Sequence, residues 1–185
     1  LFPGGSGFRR PVHFCRGFGV LFPGGGVSGF VTAAGPLDWQ LTDTYFVVAH
    51  LHYVLLGINV FPVVGGIYHW FPKLTGKVMN ERLGKWSFWV MFIGFNVSFF
   101  PMHIAGLLGM PRRIYTYSEG LGWDASNMVS SLGAYLFAAG VLLFFINAIR
   151  SRRSGALAGD NPWDGSTLEW SVASPPPEYN FPRIP

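Results

Sequence analysis

His50 and His52 stand two residues apart in the run Asp43-Thr44-Tyr45-Phe46-Val47-Val48-Ala49-His50-Leu51-His52-Tyr53, inside an apolar stretch long enough to cross a membrane. Ionisable side chains are costly in hydrocarbon, so a pair of them there is read first as functional. An α-helix turns about 100° per residue, so side chains two apart point to nearly opposite flanks. One metal ion cannot be gripped by both. Helical chelation of a single ion wants the i, i+4 spacing of His-Glu-x-x-His, which this run lacks. Two separate metals, one on each flank, suit the spacing better, and neutral imidazole is a common axial ligand of heme iron. The alternative is a pair of structural histidines hydrogen-bonded to neighbouring helices.

The elements that must position these histidines follow from composition. Half of the 185 residues are apolar, 17% are aromatic and only 12% are charged, against about a quarter charged in a soluble domain. The class is an all-α integral membrane protein. Windows 44–71, 86–108 and 127–149 each supply the ~20 mainly apolar residues that a spanning helix needs. A fourth window, 11–34, is weaker, because His13, Arg16, Pro23 and Gly24-Gly25-Gly26 interrupt it. A mid-helix proline costs about 3 kcal/mol in a soluble helix, and a central arginine adds a few kcal/mol more in a bilayer. That segment reads as a degraded spanning helix, leaving one side of the bundle poorly packed. The chain therefore divides into residues 1–35 (degraded helix and flank), 36–150 (three helices, with both histidines) and 151–185. The last part, with Asp160-Asn161-Pro162-Trp163-Asp164-Gly165 and Pro175-Pro176-Pro177 and no helical period, reads as an extramembrane tail.

Charge orients the spans. Lys73, Lys77, Arg82 and Lys85 face a single acid, Glu81, in the loop after the two-histidine segment, and Arg150, Arg152 and Arg153 follow the last span. The positive-inside rule places both groups, and the tail, in the cytoplasm. Arg9 and Arg10 fit the same alternation, and Trp39, Trp70, Trp86 and Trp123 sit near segment ends as interface aromatics do. Asp38, Asp43 and the loop 109–126 then lie outside, with His50 roughly 10 Å into the core at 1.5 Å per residue. Arg112 and Arg113 stand on that side, where guanidinium forks suit carboxylates; the plainer alternative is a solvated pair. The net charge of +4 is accounted for by basic inner loops, and no Lys/Arg run points to nucleic acid. Cys15 is alone, which excludes a disulfide framework or a cysteine metal site within this chain. Beginning at Leu1 without a leader-like segment, the chain reads as a piece of something longer. His13, His69 and His103 read as structural.

These blocks resemble the C-terminal part of subunit I of the heme-copper terminal oxidases, most closely the bacterial cytochrome c oxidases with A-type hemes. The residues that carry the likeness are the 43–53 run, then His69-Trp70-Phe71-Pro72, then Phe99-Phe100-Pro101-Met102-His103, then Gly106-Leu107-Leu108-Gly109-Met110-Pro111-Arg112-Arg113. The resemblance implies that the four segments are the last four of twelve helices. It makes His50 the catalytic-site ligand of the high-spin heme where oxygen is reduced, and His52 one of two axial ligands of the low-spin heme. It gives Arg112 and Arg113 to heme propionates and Asp38 to the hydrogen-bond network around them. Asp43 corresponds to a ligand of a magnesium or manganese ion near the boundary with subunit II.

Three departures stand out. Thr42 replaces a histidine ligand of that ion, leaving Asp43 as a poorer single ligand; Leu51 replaces the usual phenylalanine between the two histidines; and Arg16, Pro23 and Gly24 intrude on the family's register in the first helix. The implied whole is a proton-pumping oxidase of a bacterial plasma membrane, assembled with subunits II and III in lipid and fed by cytochrome c. Its copper ligands, second low-spin ligand and proton channels belong to upstream helices, so this chain alone is not expected to reduce oxygen. The quinol-oxidising branch and a non-catalytic truncated remnant are the alternatives; the Asn161-Pro162-Trp163-Asp164-Gly165 tail leans towards cytochrome c as donor.

Overall fold

In hydrocarbon the backbone must satisfy its own hydrogen bonds, so each apolar window closes into a helix. The computed structural model describes residues 10–179 and 181. Its helices are α1 (Arg10–Ala33), α2 (Gly35–Leu41), α3 (Tyr45–His52), α4 (Ile58–Thr75), α5 (Glu81–Leu107) and α6 (Asp124–Ser154). A π-helical turn, Tyr53–Gly57, joins α3 to α4 in one continuous span. Tyr45–Thr75, Glu81–Leu107 and Asp124–Ser154 are long and apolar enough to cross a membrane, and α1 with α2 makes a fourth span only as a pair bent by 96°. These helices outrun most ends of the apolar windows, and local residues set some of their limits. The Asn80 side chain accepts from Leu83 N at 3.0 Å to start α5, and Gly76 in the left-handed region (φ 70°) ends α4.

The weak window differs from its expectation. It is helical without a break from Arg10 to Ala33, with Pro23 inside, and its inner face is well packed. Phe14, Leu21 and Ser28, at intervals of seven, are 0%, 1% and 6% exposed, whereas Arg16, Pro23 and Gly24 lie on exposed positions. The residues that disturb the sequence pattern are therefore off the contact stripe. Between the stripe residues, Gly17 lies against Phe88 and Phe61, and Gly25 against Val54. The first helix thus packs on α4, α5 and the π-turn through small and aromatic residues.

The most extensive helix pair is α5 with α6. A side chain on Gly94, Gly133 or Gly140 would run into Phe137, Ser98 or Met91 respectively, so the backbones meet without intervening bulk. Ser87 Oγ donates to Gly140 O across the same seam at 2.9 Å. Near the α5 start, Asn147 is fully buried and fully satisfied. Its amide nitrogen donates to Tyr68 Oη (3.1 Å) and Asn80 O (2.9 Å), and its Oδ1 accepts from Asn80 N (3.0 Å) and Ser151 Oγ (3.1 Å). One side chain so ties α4, α5 and α6 together.

The tail folds back on the end of α4. Ala156–Leu157 (β2) pairs antiparallel with Lys77–Val78 (β1). Lys73, 7% exposed, donates its ammonium to Val172 O (2.7 Å) and Asp160 O (3.1 Å) and lies 5.1 Å from the Trp170 ring. Trp163 Nε1 donates to His69 O at 2.8 Å and its ring stacks on the His69 imidazole. Carbonyl groups left open at the end of α4 and in the tail are satisfied by these donors.

Candidate functional site

α3 is placed by contacts at its start. Thr44 caps it, accepting from Phe46 N at 3.2 Å, and the loop after α5 zips alongside: Tyr45 N donates to Met110 O and Arg112 N to Asp43 O, both at 2.8 Å. A Cβ at Gly106 would overlap the backbone of Phe46, so only glycine lets α5 approach α3 this closely. The loop after α5 is thereby fixed at the start of α3, about one to two helical turns from the two histidines in its last turn.

The imidazoles leave α3 on different flanks, as the spacing requires. His50 turns to α1, where its Nδ1 lies 3.0 Å from Ser28 Oγ. That oxygen also lies 3.0 Å from Gly25 O and 3.1 Å from Gly24 O. Carbonyls only accept, and with the hydroxyl proton directed to them the oxygen offers a lone pair to the tautomer of His50 that carries its hydrogen on Nδ1. His52 turns to α5 and stacks on Phe99, with ring centroids 4.3 Å apart and planes at 14°. Its Nδ1 lies 2.7 Å from Val48 O, again an acceptor only, so this nitrogen too is the donor. Among the described residues neither Nε2 meets a hydrogen-bond partner. Each ring is thus held through Nδ1 with the Nε2 lone pair bare, the arrangement in which histidines bind metals.

Neighbouring residues sharpen the geometry. An ideal Cβ at Gly29 would come 2.9 Å from His50 Cε1, so glycine makes the space in which that ring lies. The π-turn begins directly after His52, as such turns often do at functional sites, and Tyr53 within it donates to Asn96 Oδ1 at 2.9 Å. Leu51, between the histidines, is 42% exposed.

At the rim, Arg112 Nε donates to Asp43 Oδ1 at 2.7 Å and a terminal guanidinium nitrogen reaches the same oxygen. Asp43 and Arg113 both adopt φ 67°, and Arg113 is exposed with no ion-pair partner among the described residues. Asp38 accepts from Thr42 Oγ1 at 2.7 Å, so Asp38 and Asp43 are engaged separately. Among the described residues no three His, Cys, Asp or Glu side chains gather into a metal cluster, and Asp43 already serves a guanidinium. His103 packs edge-on to Phe46 and Tyr53, at 4.9 and 5.4 Å, with both ring nitrogens unpartnered among the described residues. His69 is covered by the tail and His13 lies 5.7 Å from the Phe88 ring. Ser28, Gly29 and Phe99 are the site residues that sequence reasoning missed as such. The seven-residue spacing from Phe14 through Leu21 to Ser28 is the signal that could have placed Ser28 on a buried stripe.

Comparison with known proteins agrees in its coarse outline. The profile of the cytochrome c and quinol oxidase polypeptide I family matches residues 2–136. Cytochrome c oxidase subunit 1 of Bacillus subtilis (strain 168) is 50% identical over 186 residues, which take in 100% of this chain and 30% of that protein. Cytochrome c oxidase subunit 1 of Bacillus sp. (strain PS3) is 44% identical over the same shares. A putative cytochrome c oxidase subunit 1-beta of Streptomyces coelicolor is 46% identical, covering 98% of this chain and 32% of its own length. The chain thus spans about a third of the length of these relatives. A cryo-EM structure of a heme-copper terminal oxidase dimer shares the fold, with a TM-score of 0.71 at 20% identity over 80% of this chain and 27% of that one.

Proposed function

Since the chain belongs to the cytochrome c and quinol oxidase polypeptide I family, we propose that it is the C-terminal part of the catalytic subunit of a respiratory oxidase and supplies one axial histidine to each of two hemes. The observation that carries this reading is the pair of imidazoles on opposite flanks of α3, each pinned at Nδ1 with Nε2 bare. Heme iron, when bound, supplies one-electron transfer and, at an open coordination position, oxygen chemistry. His50 is assigned to the high-spin heme and His52 to the low-spin heme, by likeness to the family. Arg112 and Arg113 supply positive charge beside the start of α3 for propionates, Arg112 being held in place by Asp43. Asp38, tied to Thr42, adds a carboxylate to the same rim.

In the whole subunit, copper is held by residues outside this chain, and subunits II and III, with cytochrome c as electron donor, complete the route to oxygen and the pumping of protons. A-type hemes are the family's match. Asp43, which shares its Oδ1 with Arg112, is the residue that would offer a carboxylate oxygen to a magnesium or manganese ion, a poorer single ligand with Thr42 beside it. The basic end of the spans, with Lys73, Arg82 and Arg150, faces the cytoplasm together with the tail.

The test uses the complete subunit in its oxidase. His50→Ala is expected to remove the high-spin heme spectrum and His52→Ala the low-spin one, each leaving the other recognisable. Loss of the same single absorbance in both variants would overturn the two-heme reading.

A further inference from the structure

We propose that Ser28 is a positioning residue that couples His50, and not His52, to helix α1, and so sets the iron–imidazole bond strength at one heme independently of the other. The inference rests on the assignment of His50 as a heme ligand above.

The two histidines are held by different kinds of partner. His52 Nδ1 bonds to Val48 O, four residues back on its own helix, so ring and partner move as one body. His50 Nδ1 instead reaches across to a hydroxyl on another helix, twenty-two residues away in sequence. Ser28 is 6% exposed and its Oγ is engaged with Gly24 O and Gly25 O as well. Donation to those carbonyls polarises the oxygen and makes it a better acceptor for the Nδ1 proton. A stronger bond at Nδ1 makes Nε2 more basic and a better metal ligand, the usual effect of a partner behind a ligating histidine. Gly29, next to Ser28, leaves room for the ring without contributing a bond. The path therefore runs from the α1 backbone through one hydroxyl to one imidazole. A shift of α1 relative to α3 would strengthen or weaken ligation by His50 while leaving that by His52 alone.

The experiment is resonance Raman spectroscopy on the complete oxidase carrying Ser28→Ala, Ser28→Thr or Ser28→Cys. Ser28→Ala removes the acceptor, so the iron–histidine stretching band of the reduced high-spin heme should move to lower frequency and broaden. Retention of that heme on challenge should fall by about 10–100-fold, as for other partners of metal-bound histidines. Ser28→Thr keeps the hydroxyl and should restore the band; Ser28→Cys, a weaker acceptor of similar shape, should shift it part of the way and serves if Ser28→Ala fails to assemble. Low-spin heme bands should be unchanged throughout. An unmoved band in Ser28→Ala, or in Ser28→Cys where only that assembles, overturns the proposal, as does an equal shift in the low-spin bands. His50→Ala separates the two levels: if the band survives it, the ligand assignment fails, and if the band vanishes there but ignores Ser28, only the Ser28 role fails.

Discussion

Helices α1 and α5 lie against the same short helix and each touches one imidazole, yet their sequences look opposite in quality. α5 passes as a spanning helix on its own, with Pro101 inside it, and presents the flat face of Phe99 to His52. α1 carries a proline, an arginine and three successive glycines and presents a hydroxyl and a bare glycine to His50. The aromatic wall tolerates small displacement, because stacking falls off gradually and no proton has to be placed. The hydroxyl contact is directional and needs donor and acceptor within a few tenths of an ångström. A helix judged by its average hydropathy can thus be the more exacting of the two, provided its few contact positions are intact.

The comparison breaks most easily at Gly29. Gly29→Val places branched bulk where even a Cβ lies 2.9 Å from the His50 ring, and overpacking of this kind costs about 1–3 kcal/mol. Heme extraction and difference spectra of the complete oxidase should show the high-spin heme lost and the low-spin heme kept; loss of both together would mean that the flanks are not independent. Phe99→Leu probes the other flank with a smaller effect. Removing the stack on His52 should cost about 0.5–1.5 kcal/mol and shift the low-spin absorbance while leaving the high-spin spectrum alone, so a high-spin shift would contradict the division. Pro23→Ala should do least. Because Pro23 is exposed and off the buried stripe, both heme spectra should be unchanged and thermal stability equal or slightly raised; an altered high-spin spectrum would show that the proline helps to aim Ser28.

Much of this arrangement is legible in the sequence, and the reason is local. Apolar length alone locates the spans that include Tyr45–Thr75, Glu81–Leu107 and Asp124–Ser154, and helical rotation alone sends His50 and His52 to different flanks. What sequence reasoning misses depends on partners far along the chain. The burial of Phe14, Leu21 and Ser28 is set by α4 and α5, the π-turn and His50 respectively, so averaging over residues 11–34 hides a sound stripe behind exposed faults. The tail lacks any periodic pattern, yet Lys73 gathers carbonyls from Asp160 and Val172 and holds it down. Arg112 and Asp43 lie 69 positions apart and meet because the loop after α5 zips onto the start of α3.

The π-turn at Tyr53–Gly57 also sets the angular phase between the two halves of the span it interrupts. Everything after it, including Phe61, Val64 and Tyr68 in the core, is aimed relative to the histidines by one wide turn rather than by regular winding. Each residue of an i→i+5 turn rotates the chain less than the ~100° of an α-helical residue, so winding the same five residues as regular α-helix would swing the half that follows round against the half that carries the histidines. The five-residue segment therefore behaves as a fixed gear between the end that holds the imidazoles and the end that holds Asn147 and the tail. Added residues should be tolerated less well there than in the loop 114–122, where no helix phase is at stake.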